Sequence, residues 1–192
     1  NIKIVKKWTL GIIFGALLGS ILASSIPGEI LIIIFICLAL VIAINMAIQQ
    51  KPYVILEDLP KSKSINFCIS SLIGFFSVLV GIGGGSFSVP ILSMFSKQIH
   101  EAVGTSAVFG FLISLSGVIM FMITGSFKEN NPDYSIGYVN IIIVLLVAVP
   151  SILTANIGAN FASKVNKIVL RRFFSIFLLF TCVSLIIEHF IL

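Results

Sequence analysis

A short glycine-rich stretch, VGIGGGSFSVPILSM at positions 80–94, holds the residues best suited to binding an anion. Consecutive glycines permit a reversal of the chain and the close approach of another backbone or a ligand. Pro90 fits the early part of a helix, so the stretch predicts a half-helix over residues 86–95. Unpaired N–H groups and a partial positive charge at its start, facing a water-accessible cavity, would favour anions. The predicted binding residues here are Gly83, Gly84, Gly85, Ser86, Ser88 and Pro90.

The same glycines have two other interpretations. Small residues also permit tight helix packing in membranes, and this explanation stays an alternative. A dinucleotide-binding loop would need glycine where this chain has Ser86, together with a soluble strand–helix unit, and the sequence offers neither. The dinucleotide motif is therefore excluded.

Two further groups of polar residues are candidates for the same site. Gly104, Thr105 and Ser106 are predicted to open the next helix, where their hydroxyls could bond the oxygens of an anion. Capping and helix packing would explain these three residues equally well. Asn156 and Asn160 share one helix face at i, i+4 spacing, so they are candidate pathway residues or links to neighbouring helices.

The composition identifies the elements that must position these residues. Hydrophobic residues make up 58% of the 192, only 10% are charged, and the mean hydropathy is +1.19. A bilayer core needs about 20 apolar helical residues. Runs of about that length cover residues 8–26, 30–48, 65–82, 102–123, 138–157 and 168–187. We therefore predict an all-α, polytopic helical membrane protein in a multi-pass arrangement.

Lysines and arginines predict how the segments are oriented. If residues 65–96 enter the membrane and return to the same side, eleven of the twelve cations lie inside and only Lys128 lies outside. If residues 65–82 cross fully, the division is seven against five. Because cytoplasmic loops are rich in Lys and Arg, we predict a re-entrant hairpin over 65–96 and a cytoplasmic loop over 51–64. The N-terminus of this chain would then be cytoplasmic and its C-terminus outside.

A weak internal repeat appears when the chain is compared with itself at a shift of 139 residues. Gly19 then aligns with Gly158 and Phe35 with Phe174. Since the two segments run in opposite directions in the hairpin arrangement, we predict an inverted repeat. Residues 1–50 would be the last two helices of a first repeat, and residues 65–192 a complete second repeat with helices at about 102–123, 138–158 and 168–188. Two equal repeats predict about 86 further residues before Asn1.

The order GIGGGSFSVPIL, then HEAVGTSAVFGF, resembles the sulfite exporter TauE/SafE family of membrane transporters. The resemblance is carried by the glycines at 81–85, the Val-Pro element at 89–92 and the AVGTS element at 102–106. It implies two repeats of about four membrane segments and the transport of sulfite, sulfonates or similar anions across a cytoplasmic membrane. This chain departs from the family pattern because the first copy of the motifs is absent. The residues themselves favour an anion without identifying sulfur.

These observations predict a secondary transporter of small anions that works by alternating access within the lipid bilayer. A non-transporting membrane scaffold or assembly factor, or an anion channel, are the alternatives. The sequence supports no catalytic pair, metal-ligand cluster, cofactor or nucleic-acid partner, so an enzyme is not expected. Coupling to a proton or a sodium ion, the direction of transport and the oligomeric state stay open.

Overall fold

The computed structural model describes residues 1–48, 59–81, 84–95, 99–127 and 132–190. Within these ranges the chain forms seven helices and one small antiparallel sheet, which confirms the predicted all-α class. The helices are α1 (Ile2–Ser25), α2 (Gly28–Ile48), α3 (Lys63–Val80), α4 (Gly84–Met94), α5 (Ile99–Gly125), α6 (Ile141–Lys164) and α7 (Lys167–Phe190), and the strands are β1 (Ser135–Ile136) and β2 (Val139–Asn140).

Four helical segments in the described ranges are long and apolar enough to cross a membrane. They are Ile2–Ser25, Lys63–Val80, Glu101–Gly125 and Ile141–Gly158. A shorter apolar segment, Gly28–Ile44, lies within α2. A helix satisfies its own backbone hydrogen bonds, so such segments are stable in lipid. Length and composition therefore agree with the predicted multi-pass membrane protein.

The described residues divide into two compact units. The first combines Asn1–Phe35 with Lys51–Phe121, and the second combines Ile36–Gln50 with Met122–Leu192. In the first unit α1 packs on α3 through glycines spaced four residues apart, and a Cβ added to Gly15 would meet the carbonyl oxygen of Ser71 at 1.9 Å. The contacts are Gly11 with Ser70, Gly15 with Ser71 and Gly19 with Phe75. Because the partner's number rises with that of the glycine, α1 and α3 run parallel.

Trp8 is the centre of the apolar core in the first unit. The indole is fully buried, and its Nε1 donates a hydrogen bond to Oδ1 of Asn66 at 2.9 Å. The ring stacks on Phe109 with centroids 5.9 Å apart and meets the edge of Phe95 at 6.5 Å. A buried indole N–H needs a partner, so Asn66 completes a contact that fixes α1 on α3.

Helix α5 runs in the same direction as α1. Near the start of α1, Trp8 meets Phe109, and near its end the hydroxyl oxygen of Ser20 lies 3.7 Å from the Cβ position of Gly117. Three helices, α1, α3 and α5, are therefore parallel in the first unit. The short α4 stands between α3 and α5 in the chain.

Helix α6, in the second unit, begins later than the sequence predicts. Residues 135–140 form a hairpin in which Gly137 has a φ of +59°, and α6 starts only after Asn140. The side chain of Asn140 accepts a hydrogen bond from the N–H of Ile143 and so caps the helix. The predicted start of this helix at about residue 138 is therefore too early, because an apolar run alone does not reveal a capping asparagine.

Helix α7 is joined to the end of α2 inside the second unit. The hydroxyl of Ser175 donates to the carbonyl oxygen of Ala43 at 2.8 Å, and Cys182 lies buried beside the carbonyl of Ile36. An interhelical hydrogen bond of this kind stabilises helix pairs in lipid.

Candidate anion-binding site

The chain leaves its helix just before the glycine stretch, at the break that the candidate site requires. Helix α3 ends at Gly81, whose φ of +65° is strained for any residue with a side chain. The N–H of Gly81 donates to the carbonyl oxygens of Ser77 at 3.0 Å and Val78 at 3.2 Å. This left-handed cap stops the helix, and α4 begins three residues later at Gly84.

The first turn of α4 lies against the middle of α5. A Cβ added to Gly84 would lie 2.8 Å from the backbone nitrogen of Gly110 and 2.9 Å from Cδ1 of Ile113. Gly110 is the twelfth of the 27 residues of α5, so α4 starts at about half the height of that helix. The approach requires glycine at position 84, whereas a Cβ at Gly110 would lie at an ordinary distance of 3.7 Å from the nitrogen of Gly84.

Ser88 of α4 and Ser106 of α5 are both buried. Few residues separate Met94 from Ile99, so α4 and α5 form an antiparallel pair. One step of four residues from Gly84 reaches Ser88, and the matching step back from Gly110 reaches Ser106. Ser88 is 0% exposed and Ser106 is 1% exposed. Helical spacing therefore places each serine about one turn from the glycine at which α4 and α5 touch.

Neither of these buried hydroxyls has a hydrogen-bond partner. Among the described residues, the buried hydroxyl oxygens without a partner belong to Ser71, Ser77, Ser88 and Ser106. Other helical serines bond the carbonyl one turn earlier, as Ser20 does with Ala16 at 2.8 Å. Leaving a buried hydroxyl unpaired costs about 1–3 kcal/mol. A bound anion would supply the missing acceptors, because its oxygens take hydroxyl hydrogens.

Ser71 and Ser77 of α3 were not predicted as site residues. The signal was present, since both hydroxyls interrupt an otherwise apolar run. It was hidden because a helical serine normally satisfies itself through its own backbone. Only the structure shows that these two hydroxyls, both buried, remain unpaired.

The AVGTS element lies in the second turn of α5, because the helix starts at Ile99 and not near residue 102. The prediction that these residues open the helix is therefore wrong. Thr105 is buried and its Oγ1 accepts a hydrogen bond from the amino group of Asn1 at 2.8 Å. Gly104 is exposed, and a Cβ added there would meet nothing within 4 Å. Thr105 and Ser106 thus lie on the packed side of α5.

The remaining predicted site residues stay predictions. Gly83 lies outside the described residues, whereas Gly85, Ser86 and Pro90 belong to α4 without a description of their surroundings. The exposed Asn156 and Asn160 belong to α6 in the second unit, and their role in a pathway stays a prediction.

The electrostatics of the α4 start favour a negative ligand. The first turn of α4 contains no acidic residue, and its N–H groups have no partner within the helix. At this point the backbone of Gly84 is packed on that of Gly110. A cavity of about 550 Å³ lies beside Lys7 and Lys63, at the amino ends of α1 and α3.

Comparison with known proteins places these features in one family. The profile of the family described as sulfite exporter TauE/SafE matches residues 1–185. The chain belongs to the TauE/SafE family. The match includes the glycine stretch, the α4–α5 pair and both helices of the second unit. No solved structure matches the chain.

Two relatives of the TauE/SafE chain carry the same general description. A protein of Haemophilus influenzae named "Probable membrane transporter protein" is 34% identical over 117 residues, which are 61% of this chain and 44% of the relative. A protein of Methanocaldococcus jannaschii, also named a probable membrane transporter protein, is 36% identical over 98 residues, or 51% of this chain and 36% of the relative. The chain thus spans less than half the length of these relatives.

Proposed function

We propose that this chain belongs to a secondary transporter that moves small anions across the cell membrane by alternating access. The family and the names of the two relatives support transport. Sulfite is the substrate that the family description names, and an organosulfonate is the chemically similar alternative. The residues around α4 favour an anion on chemical grounds, because a helix start without acidic neighbours attracts negative charge.

The observation that carries the proposal is the pair of unpaired hydroxyls at Ser88 and Ser106. Both are buried, each lies one helical turn from the Gly84–Gly110 contact, and α4 begins one turn away from Ser88. Hydroxyls and backbone N–H groups together form the donor set that a sulfite or sulfonate group accepts. In the arrangement described, α4 is closed against α5, so we propose that entry of the anion requires α4 to separate from α5.

Matching helix ends support the proposed inverted repeat. Helices α1 and α6 begin 139 residues apart, at Ile2 and Ile141, and both contain 24 residues. Helices α2 and α7 begin the same distance apart, at Gly28 and Lys167. Both α1 and α6 are followed by an extended residue whose N–H bonds the carbonyl four positions earlier. The shift of 139 thus aligns structural boundaries as well as residue types.

The parallel directions of α1, α3 and α5 support the proposed re-entrant hairpin. If α3 and α5 both run outward, the connection between them must return, and α4 is the helix that runs back. This arrangement keeps residues 51–64 on the cytoplasmic side, with the N-terminus of the chain there and its C-terminus outside. The coupling ion, a proton or sodium, is left open by the proposal.

Flux measurements in proteoliposomes test the role of the serines. Ser88→Ala and Ser106→Ala remove hydroxyls that have no partner in the fold, so the thermal stability of each variant should equal or exceed that of the wild type. A hydrogen bond to a charged group contributes about 1.5–3 kcal/mol. We therefore expect the KM for sulfite to rise by roughly tenfold or more in each variant.

Ser20→Ala is the matched control. Ser20 is equally buried, but its hydroxyl already bonds Ala16 within α1. This variant should leave the KM for sulfite unchanged. Unaltered sulfite flux in Ser88→Ala and Ser106→Ala would show that these serines do not bind the anion and would contradict the proposed site.

A non-transporting scaffold is the second candidate, because Gly84 packs directly on Gly110 as a purely structural glycine would. A scaffold predicts no saturable binding of sulfite or sulfonates to the purified protein, whereas a transporter predicts saturable binding and flux. Flux that does not saturate would identify an anion channel. Gly84→Leu does not separate these functions, because the new side chain would overlap the backbone of α5.

A further inference from the structure

A cavity separate from the proposed transport site opens in the first unit. Its volume is about 550 Å³, within the range of small-molecule sites, and it lies at the amino ends of α1 and α3. The residues that line it are Lys7, Leu10, Lys63, Ser64 and Phe67. Because α1 and α3 run parallel, their two lysines lie at the same end of the helix pair.

The polar side of the cavity is positively charged. Lys7 and Lys63 each bring an ammonium group, and among the described residues neither the cavity lining nor the first turn of α3 contains an acidic side chain. Nζ of Lys7 donates to the carbonyl oxygen of Pro60 at 2.9 Å, which holds the ammonium in place and leaves its other hydrogens available. Ser64 adds a hydroxyl. This set of donors suits a phosphate group.

The other side of the cavity is apolar and open. Leu10 is 75% exposed and Phe67 is 42% exposed, and the ring of Phe14 lies 5.6 Å from that of Phe67. The apolar surface thus continues from the lysines along α1 in the direction of the membrane interior. An inorganic anion would use only the lysine end, whereas a molecule with an anionic head and an apolar tail would cover both.

We propose that this cavity binds an anionic phospholipid. The phosphate headgroup would contact Lys7, Lys63 and Ser64, and an acyl chain would lie along Leu10, Phe14 and Phe67. Basic pockets at the cytoplasmic side of membrane helices suit such headgroups, and the lysines reach the interface from the ends of their helices. The proposal depends on the membrane setting and not on the identity of the transported anion.

Native mass spectrometry of the purified protein tests this site. The probes are phosphatidylglycerol and phosphatidylcholine with identical acyl chains. The wild-type protein should retain phosphatidylglycerol in preference to phosphatidylcholine. The double variant Lys7→Gln/Lys63→Gln should lose roughly tenfold or more of that preference, since each lysine contributes to the attraction of an anionic lipid.

The control carries the same change of net charge. Lys3 and Lys61 are exposed near the same end of the unit but do not line the cavity. Lys3→Gln/Lys61→Gln should therefore keep the preference for phosphatidylglycerol. An equal loss in both double variants would show general surface attraction and overturn the proposal, as would a wild-type protein without preference.

Two further arms separate a lipid from a free anion. Phe67→Ala should weaken retention of phosphatidylglycerol while leaving the lysines in place. Inorganic phosphate in excess should not displace the bound lipid, because it cannot replace the apolar contact. Complete displacement by inorganic phosphate, or an unchanged lipid retention in Phe67→Ala, would assign the cavity to a small anion and contradict the proposal.

Discussion

Helices α1 and α6 have the same length and the same kinds of caps, but they differ in how much of each helix is buried. Each contains 24 residues, begins after an asparagine whose side chain caps the helix, and ends at an extended residue. In α1, Trp8, Ile12 and Ala16 are fully buried. In the membrane-length segment of α6, Ile141–Gly158, no residue is buried within the described chain. Capping determines where these two helices begin and end, and it does not determine what they pack against.

The difference lies in the small residues of the contact face. Helix α1 has Gly11, Gly15 and Gly19 at spacings of four, and all three let α3 approach closely. The shift of 139 residues places Pro150, Thr154 and Gly158 at the equivalent positions of α6. A proline and a branched side chain keep another backbone away from two of those positions. Of these two helices, the one that is closely packed is the one with glycines at spacings of four.

Of the substitutions that test this comparison, Gly15→Leu should have the largest effect on the folded protein. Even a Cβ at this position would lie 1.9 Å from the carbonyl oxygen of Ser71, and backbone cannot move aside cheaply. We expect the α1–α3 pair to separate and the folded protein to be lost, as measured by gel filtration in detergent and near-UV circular dichroism. A monodisperse variant with a wild-type spectrum would contradict the packing described for α1.

The pair Gly19→Ala and Gly158→Ala tests the equivalent positions directly. At Gly19 a Cβ would meet the carbonyl oxygen of Phe75 at 2.7 Å, so we expect a loss of about 1–3 kcal/mol in the free energy of unfolding. At Gly158 a Cβ would meet nothing within 4 Å, so alanine should stabilise α6 by about 0.5–1 kcal/mol. Unfolding in mixed detergent micelles measures both values. Equal losses would mean that α6 is also closely packed in the membrane.

Asn140→Ala should have the smallest effect, because it removes only an N-cap, a feature that α1 and α6 have in common. The side chain of Asn140 accepts from the N–H of Ile143 at 3.1 Å and donates to Asp133 and Ser135. Loss of an N-cap costs about 1 kcal/mol. Asn140→Ser keeps a capping oxygen and should recover most of the lost stability. If serine is no better than alanine, the cap does not hold the start of α6.

Apolar length was sufficient to predict most of the fold. The runs at 8–26, 30–48 and 168–187 correspond to α1, α2 and α7, because a lipid-facing backbone has no stable alternative to a helix. The hairpin at 135–140 was missed because two-residue strands leave no periodic signal. The start of α5 was placed three residues late, since the short connection before Ile99 has no capping residue that the sequence reveals.

The sequence indicates residue types suited to an anion site but not their arrangement. The glycines indicated a break, and Gly81 and the start of α4 show one. That Ser88 and Ser106 each lie one turn from a helix contact follows from the approach of Gly84 to Gly110, which no local pattern contains. The sequence likewise offers no reason to expect a lysine-lined cavity between α1 and α3. The α1 residues that line it lie more than fifty positions from the α3 residues.

The parallel pairing of α1 with α3 has a consequence for the origin of the fold. If residues 1–50 and 65–192 descend from one duplicated segment, then α1 finds its closest contact in the other half of the duplication. Under that duplication the α1–α3 contact joins the two halves, and the glycine face of α1 depends on the other half for its cover.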